Sequence, residues 1–148
     1  KLFLKEQGIW ESWSKENRSF INSVIKEIYT RYAKSLIQVG NAYEEDFNTG
    51  LPFELIALKN PYLPNNNQGI PVVLLYNNKP FPNSTLTIFK RKNNNISIDK
   101  ITTDQNGKAF IKFGGGGIFL INAVHFIKNK KNNADWHSLW ASLTFEKK

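Results

Sequence analysis

The chain has no cysteine in its 148 residues, which excludes disulfides, thiolate metal sites and thiol chemistry without fixing a compartment. Arginine is scarce as well: it supplies 3 of the 20 basic residues, and lysine the other 17. Phosphate-binding surfaces favour arginine for its planar fork, so the formal charge of +8 reads as a solvated lysine surface with a general attraction for acidic partners. The Lys90–Lys92 and Lys128–Lys131 runs are dispersed and mostly lysine, so no specific nucleic-acid binding is expected. Long apolar runs are missing too. The longest, Ile118 to Ile127, is too short for a bilayer and is broken by Asn122 and His125, so no direct membrane insertion is expected. The nucleophile elbow, the helical zinc-protease motif, the phosphate loop and the dinucleotide fingerprint are all absent, and no enzyme is expected.

Aromatic residues, by contrast, are plentiful. With 4 Trp, 5 Tyr and 11 Phe, and 41% apolar residues overall, the chain can build a core, and its aromatic bias favours sheet. Seven short apolar runs follow one another: Phe53–Leu58, Val72–Tyr76, Thr85–Lys90, Ser97–Thr102, Ala109–Phe113, Ile118–Phe126 and Leu139–Phe145. Asparagine, glycine and proline clusters separate them, Asn77-Asn78 and Gly114–Gly117 among them. Short strands at this spacing predict a mainly β fold: an antiparallel immunoglobulin-like or prealbumin-like sandwich of about seven strands over residues 50–148. Residues 1–40 read differently. Apolar pairs recur every four residues from Phe20 to Leu36, which predicts a helix over about Lys15 to Tyr29, with a short leading helix around Leu2 to Trp13. This segment is expected to be a helical connector, although Tyr32 to Val39 would also suit a strand.

Two hairpins are expected. Asn106-Gly107 joins two strand runs with residues that tolerate positive φ. The last two strands pair about a tip near Lys131, which sets His125 opposite His137, Ala123 opposite Leu139 and Ile121 opposite Ala141 on one core face. The two histidines then lie together at the rim of the core. With Asp135, or alternatively Glu54, they are candidate ligands for a divalent transition metal such as nickel, cobalt, zinc or copper. Trp136 and Trp140 lie on one side of the final strand, as packing at the sandwich end or as a partner surface. Gly114–Gly117 lacks the Lys-Ser/Thr of a phosphate loop and reads as a turn. Asp104-x-Asn106-Gly107 lacks the distal ligands of a calcium loop, and Glu44, Glu45 and Asp46 read as a solvated acidic loop.

The ending Asp135-Trp136-His137-Ser138-Leu139-Trp140-Ala141-Ser142-Leu143-Thr144-Phe145 resembles the D-W-x-S-x-W-A-S-L-T-F of a bacterial periplasmic family of nickel-uptake substrate-specific components, the periplasmic part of cobalt/nickel-type ABC uptake. Four further segments resemble that family in order: Leu4–Ile9, Tyr29–Lys34 with Val39-Gly40, Gly50–Glu54 with Asn60–Tyr62, and Ala123–His125. The resemblance implies an exported, periplasmic protein with a signal peptide and an upstream β domain opened by a His-Asp-Phe-Trp-like motif, neither of which this sequence contains. It also implies a non-catalytic accessory role in divalent-metal uptake. The partners would be membrane transporter components and that upstream N-terminal domain, and the role would be met by binding metal or a transporter partner. The alternative is a structural or adhesion-type interaction sandwich with no metal role.

Overall fold

The computed structural model describes residues 26–41, 44–66, 68–129 and 134–148, together with Glu11 and Ser14. Nine strands lie among them: β1 (Glu27–Ser35), β2 (Phe53–Ala57), β3 (Gly69–Tyr76), β4 (Lys79–Pro80), β5 (Thr85–Lys92), β6 (Asn95–Thr102), β7 (Lys108–Lys112), β8 (Gly117–Lys128) and β9 (Trp136–Lys147). They form two sheets. One has the order β1-β9-β8-β5-β6. In the other, β3 pairs with β2 on one side and with β7 and the short β4 on the other. Every pairing is antiparallel except β1 with β9, which is parallel.

Period-two alternation explains why the sheets stack. One sheet buries Phe53, Leu55, Ile70, Val72, Leu74 and Ile111, and the other buries Leu86, Phe119, Ile121, Leu139, Leu143 and Phe145. At one end of this core the rings of Phe113, Phe119 and Phe145 cluster with centroids 5.1–5.7 Å apart. A fully buried side chain of this kind contributes about 1.5–3 kcal/mol. The stacking of two such faces is what holds the molecule together.

All seven apolar runs read from the sequence are strands, most of them extended by a residue or more, while the first stops at Ala57 and the fifth starts one residue earlier and stops at Lys112. The arm differs from its expectation where it can be described. The helix expected to reach Tyr29 does not do so, because residues 27–29 open β1. Pairing with β9 over nine residues outweighs a helical spacing that Ile28, Thr30 and Tyr32 satisfy equally well as an alternating strand. Residues 15–25, and the leading helix apart from Glu11, lie outside the described residues. β1 thus makes part of the segment read as a connector into an edge strand of the larger sheet.

Asn106-Gly107 does not close a hairpin. β6 belongs to the five-stranded sheet and β7 to the other, so this turn carries the chain from one sheet to the other. A two-residue hairpin of the favoured type needs positive φ at both centres, and here only Gly107 has it (φ +69°). Asn77 and Asn78 do supply both, and they close the β3–β4 hairpin.

The β8–β9 hairpin exists, but its register is shifted by two residues. His125 pairs with Leu139, Ile127 with His137, Ala123 with Ala141 and Phe119 with Phe145. The shift moves the tip by one residue and preserves every face assignment, because a slip of two leaves side-chain parity unchanged. The histidines therefore are not directly opposed; His137 lies one rung farther out, diagonal to His125.

Candidate interaction surface

The residues nominated for a metal site have separate engagements. The ring of His125 is packed among Phe81, Tyr76 and Phe53, with centroids at 4.6, 5.0 and 6.1 Å. Burial there holds its pKa below the ordinary value of 6.5, so the ring is neutral near pH 7. His137 Nε2 and Thr30 Oγ1 share a 2.8 Å hydrogen bond across β9 and β1. The Asp135 carboxylate accepts the Lys26 N–H at 2.8 Å, and the Asp135 N–H donates to the Lys26 carbonyl at 2.8 Å, clasping the start of β1 to the start of β9. These three side chains do not converge on a common ion. Among the described residues no group of three or more His, Asp or Glu is arranged to hold a metal.

Glu54 and Asp46 have a different role from either expectation. Glu54 sits in β2, whose five residues are all buried, with its side chain fully enclosed. Lys34 reaches it from β1 at 2.9 Å and holds Asp46 at 2.8 Å. The third donor of the ammonium goes to the Phe47 carbonyl, at 3.0 Å. Glu54 also accepts the Thr49 N–H and hydroxyl, both at 2.9 Å, and the Leu51 N–H at 3.2 Å. Burial pushes its carboxyl up. The Thr49 N–H, the Lys34 ammonium and the Thr49 hydroxyl outweigh this and leave it below the ordinary range. Asp46 is not solvated as its loop composition suggested: it accepts the Ala57 N–H at 2.9 Å and thereby covers part of the edge of β2. Every donor and acceptor is used inside the protein. The cluster fastens the crossing from β1 to β2.

The two loops with cofactor-like composition are also structural. Asp104 Oδ1 accepts the N–H groups of Asn106 and Lys108, each at 2.8 Å, so its carboxylate shapes the β6–β7 turn. The glycine run after β7 presents carbonyls to a cation: Lys90 Nζ donates to Phe113 O and Gly114 O, each at 2.8 Å.

What the molecule does present is the outer face of its five-stranded sheet. Trp136 and Trp140 lie there, half-buried, and not at the end of the core. Trp140 Nε1 donates to Ser138 Oγ at 2.9 Å, and Ser138 in turn donates to Glu27. The Arg31 guanidinium lies 5.6 Å from the Trp140 ring centroid and 5.3 Å from that of Tyr29. At the other side of the same face, the register aligns two rows across β6, β5 and β8: Ile98–Phe89–Leu120 and Ile96–Arg91–Ile118. Ile96 is 64% exposed, Ile98 58% and Leu120 36%. A groove of about 730 Å³ adjoins these rows, lined by Arg91, Lys92, Ile96, Ile118 and Lys148 among others. The result is a contiguous apolar patch with Arg91 in its middle and, at its rim, several lysines together with Glu146, which pairs with Ile118. The sequence signal for it was Ile96 and Ile98 alternating with polar residues on a strand adjoining the Lys90–Lys92 run. Read alone, that alternation describes a core-facing strand.

Among the described residues the chain is a mainly β, sandwich-like domain of two sheets, one of which exposes an apolar patch on its outer face. The chain belongs to the DUF4198 family, a domain of unknown function, whose sequence model matches residues 2–126. No curated protein and no solved structure matches it.

Proposed function

We propose that this domain is a non-catalytic recognition module that binds a polypeptide partner through the outer face of its five-stranded sheet. The carrying observation is the contiguous Ile96, Ile98, Phe89, Leu120 and Ile118 patch, because large apolar side chains gathered in one place on a surface mark interaction sites. Arg91, Lys92, Lys100 and Lys148 around it outnumber Glu146 and favour a partner whose apolar residues alternate with mainly acidic ones. In the setting implied by the resemblance of residues 135–145, the module is an exported accessory domain of divalent-metal uptake and its partner is a transporter component. The strand order supports reading the sandwich as immunoglobulin-like: β2–β3, β3–β7, β5–β8 and β8–β9 correspond to the A–B, B–E, C–F and F–G neighbours of that class.

The test is a titration followed by backbone amide resonances. A short extended peptide alternating isoleucine and glutamate is compared with its isoleucine–lysine counterpart. The acidic peptide is expected to shift amides of β5, β6 and β8, and Leu120→Asp to abolish the effect. Calorimetric titration with nickel, cobalt, zinc and copper is run in parallel. Saturable metal binding lost in His125→Ala, with neither peptide moving those amides, would overturn the reading in favour of direct metal handling.

A further inference from the structure

Among the described residues β6 ends the larger sheet, and its residues from Asn95 to Lys100 are all exposed. It pairs with β5 in unbroken register from Thr85–Thr102 to Lys92–Asn95, without a bulge, and contains no proline. Strands at sheet edges are normally guarded by outward charges, prolines, bulges or a covering segment, since an open row of N–H and C=O groups is a template for another strand. On its outer face the opposite edge, β1, carries Glu27 and Arg31. On its outer face β6 instead carries Ile96 and Ile98, with Lys100 as the one charge there and Asp99 on the inner face.

We propose that this edge pairs antiparallel with β6 of a second copy of the chain, joining two five-stranded sheets into one of ten strands. The inference rests on the surface proposed above, which it doubles. A twofold axis perpendicular to the sheet keeps like faces together, so only registers pairing residues of equal parity are open. Centring on Asp99 or Lys100 sets like charges directly opposite, which destabilises a ladder. Centring on Ile98 sets Ile96 against Lys100, and centring on Ile96 leaves Ile98 against Asn94. Centring on Ser97 satisfies the whole strand. Ile96 then meets Ile98 of the second copy, twice, and Asp99 meets Asn95, whose other neighbour is Lys92. The row Leu120–Phe89–Ile98 of one copy runs on into Ile96–Arg91–Ile118 of the other, and both patches remain on one open face. The ladder is five residues long, so the dimer is weak and concentration-dependent.

Sedimentation equilibrium and amide hydrogen exchange over a range of protein concentrations test this. The weight-average mass is expected to rise toward twice the 17.0 kDa monomer, with protection appearing at residues 95–99 over the same range. Asp99→Lys puts a cation beside Asn95 and Lys92 of the second copy and is expected to weaken association about 5- to 30-fold, because two symmetric cross-strand pairs change. Adding Asn95→Asp to it restores association, since only the Ser97-centred register pairs 95 with 99. Thermal melts check that the variants remain folded. A monomer with fast-exchanging β6 amides overturns the proposal. So does a monomer with protected β6 amides, which means that another part of the chain covers the edge. A dimer indifferent to Asp99→Lys places the interface elsewhere and also overturns it. None of these results bears on the peptide titration, which decides the recognition-module reading separately.

Discussion

Replacing Lys34 by methionine is the sharpest probe of how the two sheets are tied at the β1–β2 crossing. Methionine keeps most of the stem volume and removes only the charge and its three hydrogen bonds. The side chains of Lys34, Asp46 and Glu54 are 11%, 5% and 0% exposed, so the carboxylates cannot recover their solvation where they stand. Removing one partner of a buried ion pair costs about 3–5 kcal/mol, most of it the penalty of leaving the other charge uncompensated. The lower end applies here, because Glu54 keeps the Thr49 and Leu51 donors and Asp46 keeps the Phe47 and Ala57 N–H groups. Equilibrium urea unfolding should therefore show a loss of about 3 kcal/mol at neutral pH with an unchanged m-value. The loss should also depend on pH. In the native protein the Glu54 carboxyl lies below its ordinary value of 4.5, so it stabilises the fold above that pH, and the contribution fades as pH falls through the lowered native value. In the variant the lowering by Lys34 is gone and the carboxyl takes up its proton sooner, so the gap between the two proteins should narrow as pH falls from the variant's value toward the lowered native one. A loss under about 1 kcal/mol, or one independent of pH, would mean that the cluster behaves as a solvated surface pair and that the crossing is held by packing alone.

Three further outcomes follow from named contacts. His125 is buried as a neutral ring with its pKa lowered from 6.5, so its contribution is complete above that value and is lost as pH falls below it toward the native pKa; His125→Phe should flatten the stability profile there, measured by urea unfolding at several pH values. An unchanged slope in the variant would place the acid sensitivity in other groups. Gly107→Ala should cost about 2–4 kcal/mol, because its φ of +69° disfavours an L side chain and the new Cβ would lie 2.7 Å from Phe81 N and 2.8 Å from Leu74 O, backbone atoms that cannot give way cheaply. A thermal melt within a degree or two of the parent would refute that. Ile98→Lys should leave the melting temperature nearly unchanged and weaken self-association, since the side chain is exposed in the single chain and meets Ile96 of the second copy in the proposed one.

The strands were legible because their information is local. Each of the seven runs is apolar, short and closed by turn residues, and the alternation inside it assigned faces that survived even where the register moved. Phe119, Ile121, Ala123 and His125 share a face with Leu139, Ala141 and Leu143 whether the hairpin tip falls at 131 or 132, because hydrophobic alternation fixes parity and not register. Register depends on turn geometry, and the Lys130–Asn133 stretch, with two lysines and two asparagines, names no turn type. The same ambiguity undid the reading of Asn106-Gly107. One glycine at positive φ serves a hairpin and a sheet-to-sheet corner equally, and only the partners of β6 and β7 decide between them.

What stayed hidden was whatever depends on partners far apart in the chain. β1 reads as a helix or a strand until β9, more than a hundred residues later, offers it a ladder. Glu54 in an apolar run looks like the outward position of a half-exposed strand, and Asp46 looks like loop charge. That Lys34 reaches both is a fact of topology, arising where β1 of one sheet meets β2 of the other. The exposed face escaped for a related reason. Ile96 and Ile98 alternate as core residues do, and a sequence cannot say whether a second sheet lies above an alternating strand. Here the second sheet packs against the side that carries Leu86 and Ile88, and Ile96 and Ile98 point to the other side, so the same alternation that buries the first pair leaves the second in solvent. The sequence therefore carries the apolar residues of the exposed face, and only the arrangement of the two sheets shows which of them lie there and which belong to the core.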